Sequence, residues 1–447
     1  MIRHARAPRR SPLVPVLAVA VLVVASLGAA TAALRPWNPT GQHSPGRGGT
    51  GQDPDGASSG TPAPTPTPTA DPDADLTLVA AGDVLPHQPV NASARTGDGS
   101  YDYRPLLAPM DPWVRGADLA LCHLEVPIAP TGTAPSGYPL FGAPAQVAEA
   151  LHAQGWDGCS TASNHSVDRG FAGIEATLDA FDAVGLGHVG TARTAQEQAQ
   201  PQLYRLERAG QTITVAHIAA TYGTNGMPVD ADKPWSVNLI DVPALVAQAT
   251  AARAAGADIV VASVHCCVEY RTEPTAEQVQ IDQQLADSGV IDLVIGHHAH
   301  VPQPIVHLSG GPRGEGMWVA YGLGNYLSNQ DSACCTERTD SGLLLTAHIH
   351  SAGAFPAEGR AAGPARVTGV EWTPVTVDRL GGHRVHALVD IAQGTATLSA
   401  DAVAARAARV ATAAGTQAPE RTGPVTPTGP VPVVVPRTTA PAGTPTG

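Results

Sequence analysis

The sequence predicts an α/β fold, and three observations carry that prediction. Short apolar runs of strand length alternate with segments of helical spacing. The apolar runs end repeatedly on an acid, an amide or an imidazole. No stretch repeats at a fixed period, which excludes a solenoid.

The elements follow in order. Residues 76–81 read as a strand closed by Gly82-Asp83, and 117–122 as a second, followed by His123-Leu124-Glu125. Residues 144–154 have helical spacing through Val147, Ala150 and Leu151, and 157–160 form a short strand ahead of Ser163-Asn164-His165. Phe171, Ile174, Leu178 and Phe181 recur at the period of an amphipathic helix. Residues 211–218 read as a strand, 243–255 as an Ala-rich helix, and 258–264 as a buried strand ending at His265. A helix at 275–286 leads to a strand at 291–295, which runs into Gly296-His297-His298-Ala299-His300. Late strands are expected at 317–321 and 343–349, then edge strands and one helix at 401–414.

Composition limits the functional classes. The chain has 447 residues, room for two domains or one large domain with tails. Charged residues make up 15%, the net charge is −13, and Lys233 is the only lysine. No basic stripe appears, so nucleic acid is excluded as a partner. A hydrophobic content of 43% supports a large core and excludes a fully disordered chain.

Gly and Pro gather in two segments. Residues 36–75 hold nine Pro and seven Gly, and 415–447 hold eight Pro and five Gly. Both read as disordered, because such segments bury too little apolar surface to offset chain entropy. Residues 76–414 are the expected domain, with its motifs at 76–350. Arg3, Arg6, Arg9 and Arg10 precede an uncharged apolar stretch at 12–34, which reads as an export signal. Its length favours a retained membrane anchor within residues 1–35, with the domain extracellular. Cleavage after Ala32 would instead release a secreted domain.

Four of six cysteines stand as adjacent pairs, Cys266-Cys267 and Cys334-Cys335. Bonds between neighbours are strained, so a bridge between the two pairs is expected in an exported chain. Cys122 and Cys159 end apolar runs and read as small buried hydrophobes.

Asp83, Glu125, Asn164-His165, His265 and His298/His300 all stand at strand ends, where α/β folds bind ligands. Singly, Asp83 also reads as a turn residue, Glu125 as a solvated loop acid, and Asn164 as a turn residue or helix cap. Three imidazoles in four residues at 297–300 are the strongest local signal for metal. The donor types suit Mn, Fe or Zn, and their number suits a two-metal hydrolase.

These residues form blocks: Ala81-Gly82-Asp83, His123-Leu124-Glu125-Val126-Pro127, and residues 163–170 from Ser163-Asn164-His165 to Asp168-Arg169-Gly170. His265 to Tyr270, Gly296 to Gln303, and Gly322 to Tyr326 complete the set. In this order the chain resembles the CapA-type poly-γ-glutamate capsule biosynthesis proteins, a branch of the calcineurin-like metallophosphoesterases.

The resemblance implies a four-layer αββα sandwich of the metallo-dependent phosphatase type with two divalent ions at one end. By position, Asp83 and His300 would hold the first ion, and Asn164, His265 and His298 the second. Glu125 would bridge them. His165 would serve the leaving group, oriented by Asp168, while His123, Glu269 and Asn325 would face substrate or support the ligands. A bridge from Cys266 or Cys267 to Cys334 or Cys335 would tie two loops at the rim.

The chain departs from the superfamily pattern at Leu85, where a metal-binding His is usual, and from the family pattern at His123, where Asn is usual. His87 reads as a surface loop histidine. The implied partners are a capsule or envelope polymer, membrane synthase or export components, and the membrane through the N-terminus. The implied roles are a metallohydrolase or a non-catalytic accessory protein with a vestigial site.

Overall fold

The computed structural model describes residues 71–438 apart from 356–358 and 360. The expected N-terminal anchor, and the linker as far as residue 70, lie outside the described residues. Among the described residues no helix is long and apolar enough to cross a membrane.

The chain opens with β1 (Ala74–Val84), α1 (Gln88–Ala94), α2 (Arg104–Leu107), α3 (Asp111–Arg115), β2 (Leu119–Leu124) and α4 (Gln146–Gln154). It continues through β3 (Gly158–Ser160), α5 (Gly170–Val184), β4 (Gly187–Val189), α6 (Ala195–Gln198), β5 (Gln202–Arg208), β6 (Gln211–Thr221) and α7 (Val242–Ala254). Then come β7 (Ile259–His265), α8 (Ala276–Asp287), β8 (Leu293–His297), β9 (Ile305–Leu308), β10 (Met317–Ala320) and β11 (Asn325–Leu327). The last are β12 (Ser341–Ser351), β13 (Arg366–Asp378), β14 (Arg384–Ala387), α9 (Ala400–Ala414) and β15 (Val433–Val435).

Two sheets form. One runs β14-β13-β12-β1-β2-β3-β4, with β11 also paired to β1; the other runs β15-β5-β6-β7-β8-β10-β9. Strand alternation decides the layers. Leu76, Leu78 and Ala80 of β1 point inward and meet Val215, Ile259, Val261, Leu293 and Ile295 of the second sheet. Val79 and Ala81 point outward and pack with Val90, Val147, Leu151 and Phe181 from the helices. On the far side, Ile218, Val260 and Val294 pack against Leu245, Ala249, Ile281 and Leu285 of α7 and α8. The result is helix, sheet, sheet, helix, the expected αββα sandwich.

Parallel pairing puts the carboxyl ends of β1, β2 and β3 at one edge of their sheet, and those of β6, β7 and β8 at one edge of the other. Asp83 lies in register with His123 and with Asn325, and His265 with His297. Two glycines make this possible. A Cβ on Gly82 would collide with the Gly324 carbonyl, and one on Gly296 with the Tyr321 carbonyl. Each therefore lets a neighbouring backbone approach just before a site residue.

Two expectations are corrected. The proline-rich tail is ordered from 415 to 438: β15 pairs with β5, and Trp372 exchanges backbone bonds with Pro419 and Arg421. Buried Arg437 donates to the Glu197 carbonyl at 3.0 Å and lies 2.7 Å from His188 Nδ1. Composition undercounted the tail because its partners lie elsewhere in the fold. The cysteines are also differently paired: Cys122 with Cys159, Cys266 with Cys267, and Cys334 with Cys335. Cys122 and Cys159 are in register on β2 and β3, which brings their Cα atoms within 4.3 Å. Cys266 is buried under the second sheet's helices while Cys334 and Cys335 line a surface cleft, so the expected bridge between doublets does not form.

Candidate metal centre

The strand-end residues converge. Asp83 from β1, Glu125 after β2, His265 from β7, and His298 and His300 after β8 are all at most 2% exposed. Asp83 Oδ2 lies 3.1 Å from His300 Nδ1, and Oδ1 lies 3.3 Å from His297 Nδ1. Glu125 Oε1 stands between two imidazoles, 3.6 Å from His300 Nε2 and 3.8 Å from His265 Nε2. Asn164 Oδ1 is 2.8 Å from His265 Nε2. Metal-sized groupings arise at Asp83, His123 and His265 and at Glu125, His298 and His300.

These donors fit a divalent cation. Among the described residues, both oxygens of Asp83, both of Glu125, both nitrogens of His297 and Nδ1 of His298 are buried without an aligned hydrogen bond, although imidazoles stand close by. Buried polar groups are normally satisfied, so a cluster of orphans points to a missing partner of opposite charge. Electrostatics agrees. Burial alone would raise the Asp83 carboxyl, but His297 and His300 hold it well below its usual range. Burial raises Glu125 well above its usual range. His300, against its burial, is pushed up to about 10 by Glu125 and Asp83. Burial lowers His298 to about 3 and puts His265 far below its usual value. The cluster thus favours one positive charge at its centre and keeps neighbouring imidazoles as lone-pair donors.

His298 and His300 adopt left-handed backbone conformations, φ 80° and 55°. Such geometry costs a non-glycine residue about 1–2 kcal/mol. Here it turns alternate histidines after β8 toward the same carboxylates.

The supporting residues lie around this core. His165 Nδ1 is 2.7 Å from Asp168 Oδ2, which also accepts from the Phe141 amide at 2.8 Å. Asn325 Oδ1 is 3.1 Å from His300 Nδ1, while its amide donates to the Thr339 carbonyl and Gln330. Glu269, 39% exposed, stands 3.9 Å from His300 Nε2. His123 Nε2 is 3.0 Å from His265 Nδ1 and 4.0 Å from Asp83 Oδ1.

A cleft of about 700 Å³ opens over the cluster, walled by Tyr138, Leu140, Phe141, Asn225, Met227, Tyr270, Asn329, Gln330 and the Cys334-Cys335 pair. His87, expected in a surface loop, lines it and meets Phe141 edge-on at 5.2 Å. Neither Lys nor Arg is among the described residues that line it. Sequence reasoning missed His297 as a neighbour of Asp83, and missed the 138–141 wall. The triple-imidazole run signalled His297; nothing local signalled the wall.

Residues 77–330 match the family described as bacterial capsule synthesis protein PGA_cap. The PGA biosynthesis protein CapA of Bacillus subtilis (strain 168) is 27% identical over 194 residues, 43% of this chain and 47% of that protein. A probable polyglutamine synthesis accessory protein of Mycobacterium tuberculosis (strain ATCC 25618 / H37Rv) is 28% identical over 184 residues, 39% of this chain and 45% of that one. The match spans about half the length of these relatives. Among solved structures, Haemophilus influenzae NAD nucleotidase aligns with a TM-score of 0.42 at 12% identity, over 78% of this chain and 65% of that one. A 5'-nucleotidase precursor from Thermus thermophilus aligns at 0.37 and 16%, over 66% and 54%.

Proposed function

This chain belongs to the bacterial capsule synthesis protein family, and from that premise we propose that it is a dinuclear-metal hydrolase of capsule or envelope polymer biosynthesis. The polymer is of the poly-γ-glutamate type. The observation that carries the reading is the set of buried, unsatisfied carboxylate and imidazole donors beneath an open cleft. Asp83 and His300 would hold one ion and Asn164, His265 and His298 the other, with Glu125 between them. When bound, such ions supply Lewis acidity and an activated water.

The chain's own groups do the rest. Asp168 fixes the His165 ring through Nδ1, and the Phe141 amide fixes Asp168. His165 Nε2 is thereby left to face the cleft and donate a proton to a leaving group. Asn325 and Asp83 share Nδ1 of His300, which aims its Nε2 at Glu125. The described residues of the cleft wall offer aromatic and amide surface and neither Lys nor Arg, so the positive charge that an anionic polymer needs would have to come from bound ions. The N-terminal segment, by its arginines and apolar run, would tether the domain outside the membrane beside synthase or export components.

One observation favours a second reading, an accessory protein with a vestigial site: Leu85 lines the cleft where the superfamily usually has a metal-binding His. Elemental analysis and a phosphoester and polyglutamate hydrolysis assay on the purified protein separate the two. About two equivalents of Mn, Fe or Zn with turnover that vanishes in Glu125→Ala/His298→Ala is the expected result. Capsule or envelope phenotypes that survive both substitutions would overturn the hydrolase reading.

A further inference from the structure

We propose that His123 is a positioning residue that decides which ring nitrogen of His265 is bare. This inference rests on the hydrolase reading above. His265 turns Nε2 toward Asn164 Oδ1, 2.8 Å away, and Glu125 Oε1, 3.8 Å away. Its other nitrogen, Nδ1, lies 3.0 Å from His123 Nε2. His123 Nδ1 in turn lies 2.7 Å from Ser160 Oγ. All four side chains of the line, Asn164, His265, His123 and Ser160, are buried, so each ring nitrogen must find its partner within it.

The line can run in only two directions. Asn164 donates through Nδ2 to Asn225 Oδ1, so its own Oδ1 is an acceptor. With no ion present, His265 Nε2–H donates to Asn164, Nδ1 accepts from His123 Nε2–H, and the Ser160 hydroxyl donates to His123 Nδ1. An ion at His265 Nε2 requires that nitrogen without its proton. The proton then belongs on Nδ1, His123 Nε2 becomes the acceptor, and His123 Nδ1–H donates to Ser160. Both rings stay neutral and no proton is gained or lost overall. The reversal needs a middle residue with two tautomers and an end residue that both donates and accepts, which His and Ser are.

The fold holds His123 in place for this role. Backbone register sets it opposite Ser160 and Asp83, and its ring stacks on His297 at 4.1 Å. Phenylalanine would keep the ring and the stack but leave a protonated His265 Nδ1 with no acceptor.

The test uses the full-length protein with Zn²⁺ as the probe, and compares wild type, His123→Phe and His123→Gln. In zinc-loaded wild type, ¹⁵N imidazole spectra should show the His265 proton on Nδ1. His123→Phe should weaken zinc binding by about 10–100-fold at unchanged stoichiometry, the usual cost of losing such a support. His123→Gln, whose amide oxygen can accept, should recover most of that loss. A bare His265 Nδ1 in the zinc-loaded protein, or wild-type affinity in His123→Phe, overturns the inference alone. So does loss of one whole zinc equivalent from both variants, since His123 would then be a ligand itself. Wild type that takes up no zinc overturns the hydrolase reading and the inference with it.

Discussion

Asp118 and Glu125 flank β2, one at each end of a six-residue strand, and both are buried. Asp118 is fully partnered. Its Oδ1 accepts from Arg208 Nε and Nη2 at 3.0 and 2.9 Å and from the Thr428 amide, and its Oδ2 accepts from the Thr77 amide at 2.7 Å. Among the described residues Glu125 has no aligned hydrogen bond on either oxygen. One carboxylate is finished by its neighbours, and the other stands among imidazoles without an aligned donor among the described residues. A satisfied buried charge is a staple, whereas an unsatisfied one beside other orphans is a binding site.

Four predictions would break or sharpen that contrast. Glu125→Ala/His298→Ala should cut hydrolysis by at least about 10³-fold and strip bound metal, while the metal-free protein melts no lower than metal-free wild type. Elemental analysis and calorimetry read both outcomes; a large drop in metal-free stability would make Glu125 a staple too. Arg208→Met should cost about 3–5 kcal/mol in denaturant unfolding, because it leaves Asp118 charged and buried, yet metal content should not change. Removing metal by chelation from protein held at about 100 times the dissociation constant should cost about 2.7 kcal/mol, seen as a lower Tm that returns on adding metal. Arg437→Met should cost less, about 1–2 kcal/mol, because Glu197 keeps Arg193 at 2.7 Å. A loss as large as that of Arg208→Met would show that the C-terminal strap carries more of the fold than its hydrogen bonds imply.

The layers were legible because β1, β7 and β8 are apolar runs that stop abruptly at Asp83, His265 and His297, and because the Phe171-to-Phe181 spacing marks α5. β3 is legible at 157–160, but β4, also three residues long, carries too few positions for a period to show, and α1 to α3 are too short to stand out. The tail was misjudged for a related reason. The partners of Arg437, Glu197 and His188, lie some 240 residues away along the chain. Cys122 and Cys159 looked like ordinary core residues because only parallel register reveals that they face each other.

The sequence by itself determined the α/β alternation and the kinds of donor that stand at the strand ends. Each follows from local composition or spacing. Only the tertiary structure decided which donors share one space, which carboxylate is stapled and which is left open, and that His123 backs His265 rather than solvent. Those outcomes depend on strand register and on how two sheets stack, and both are set by contacts between residues far apart in the chain.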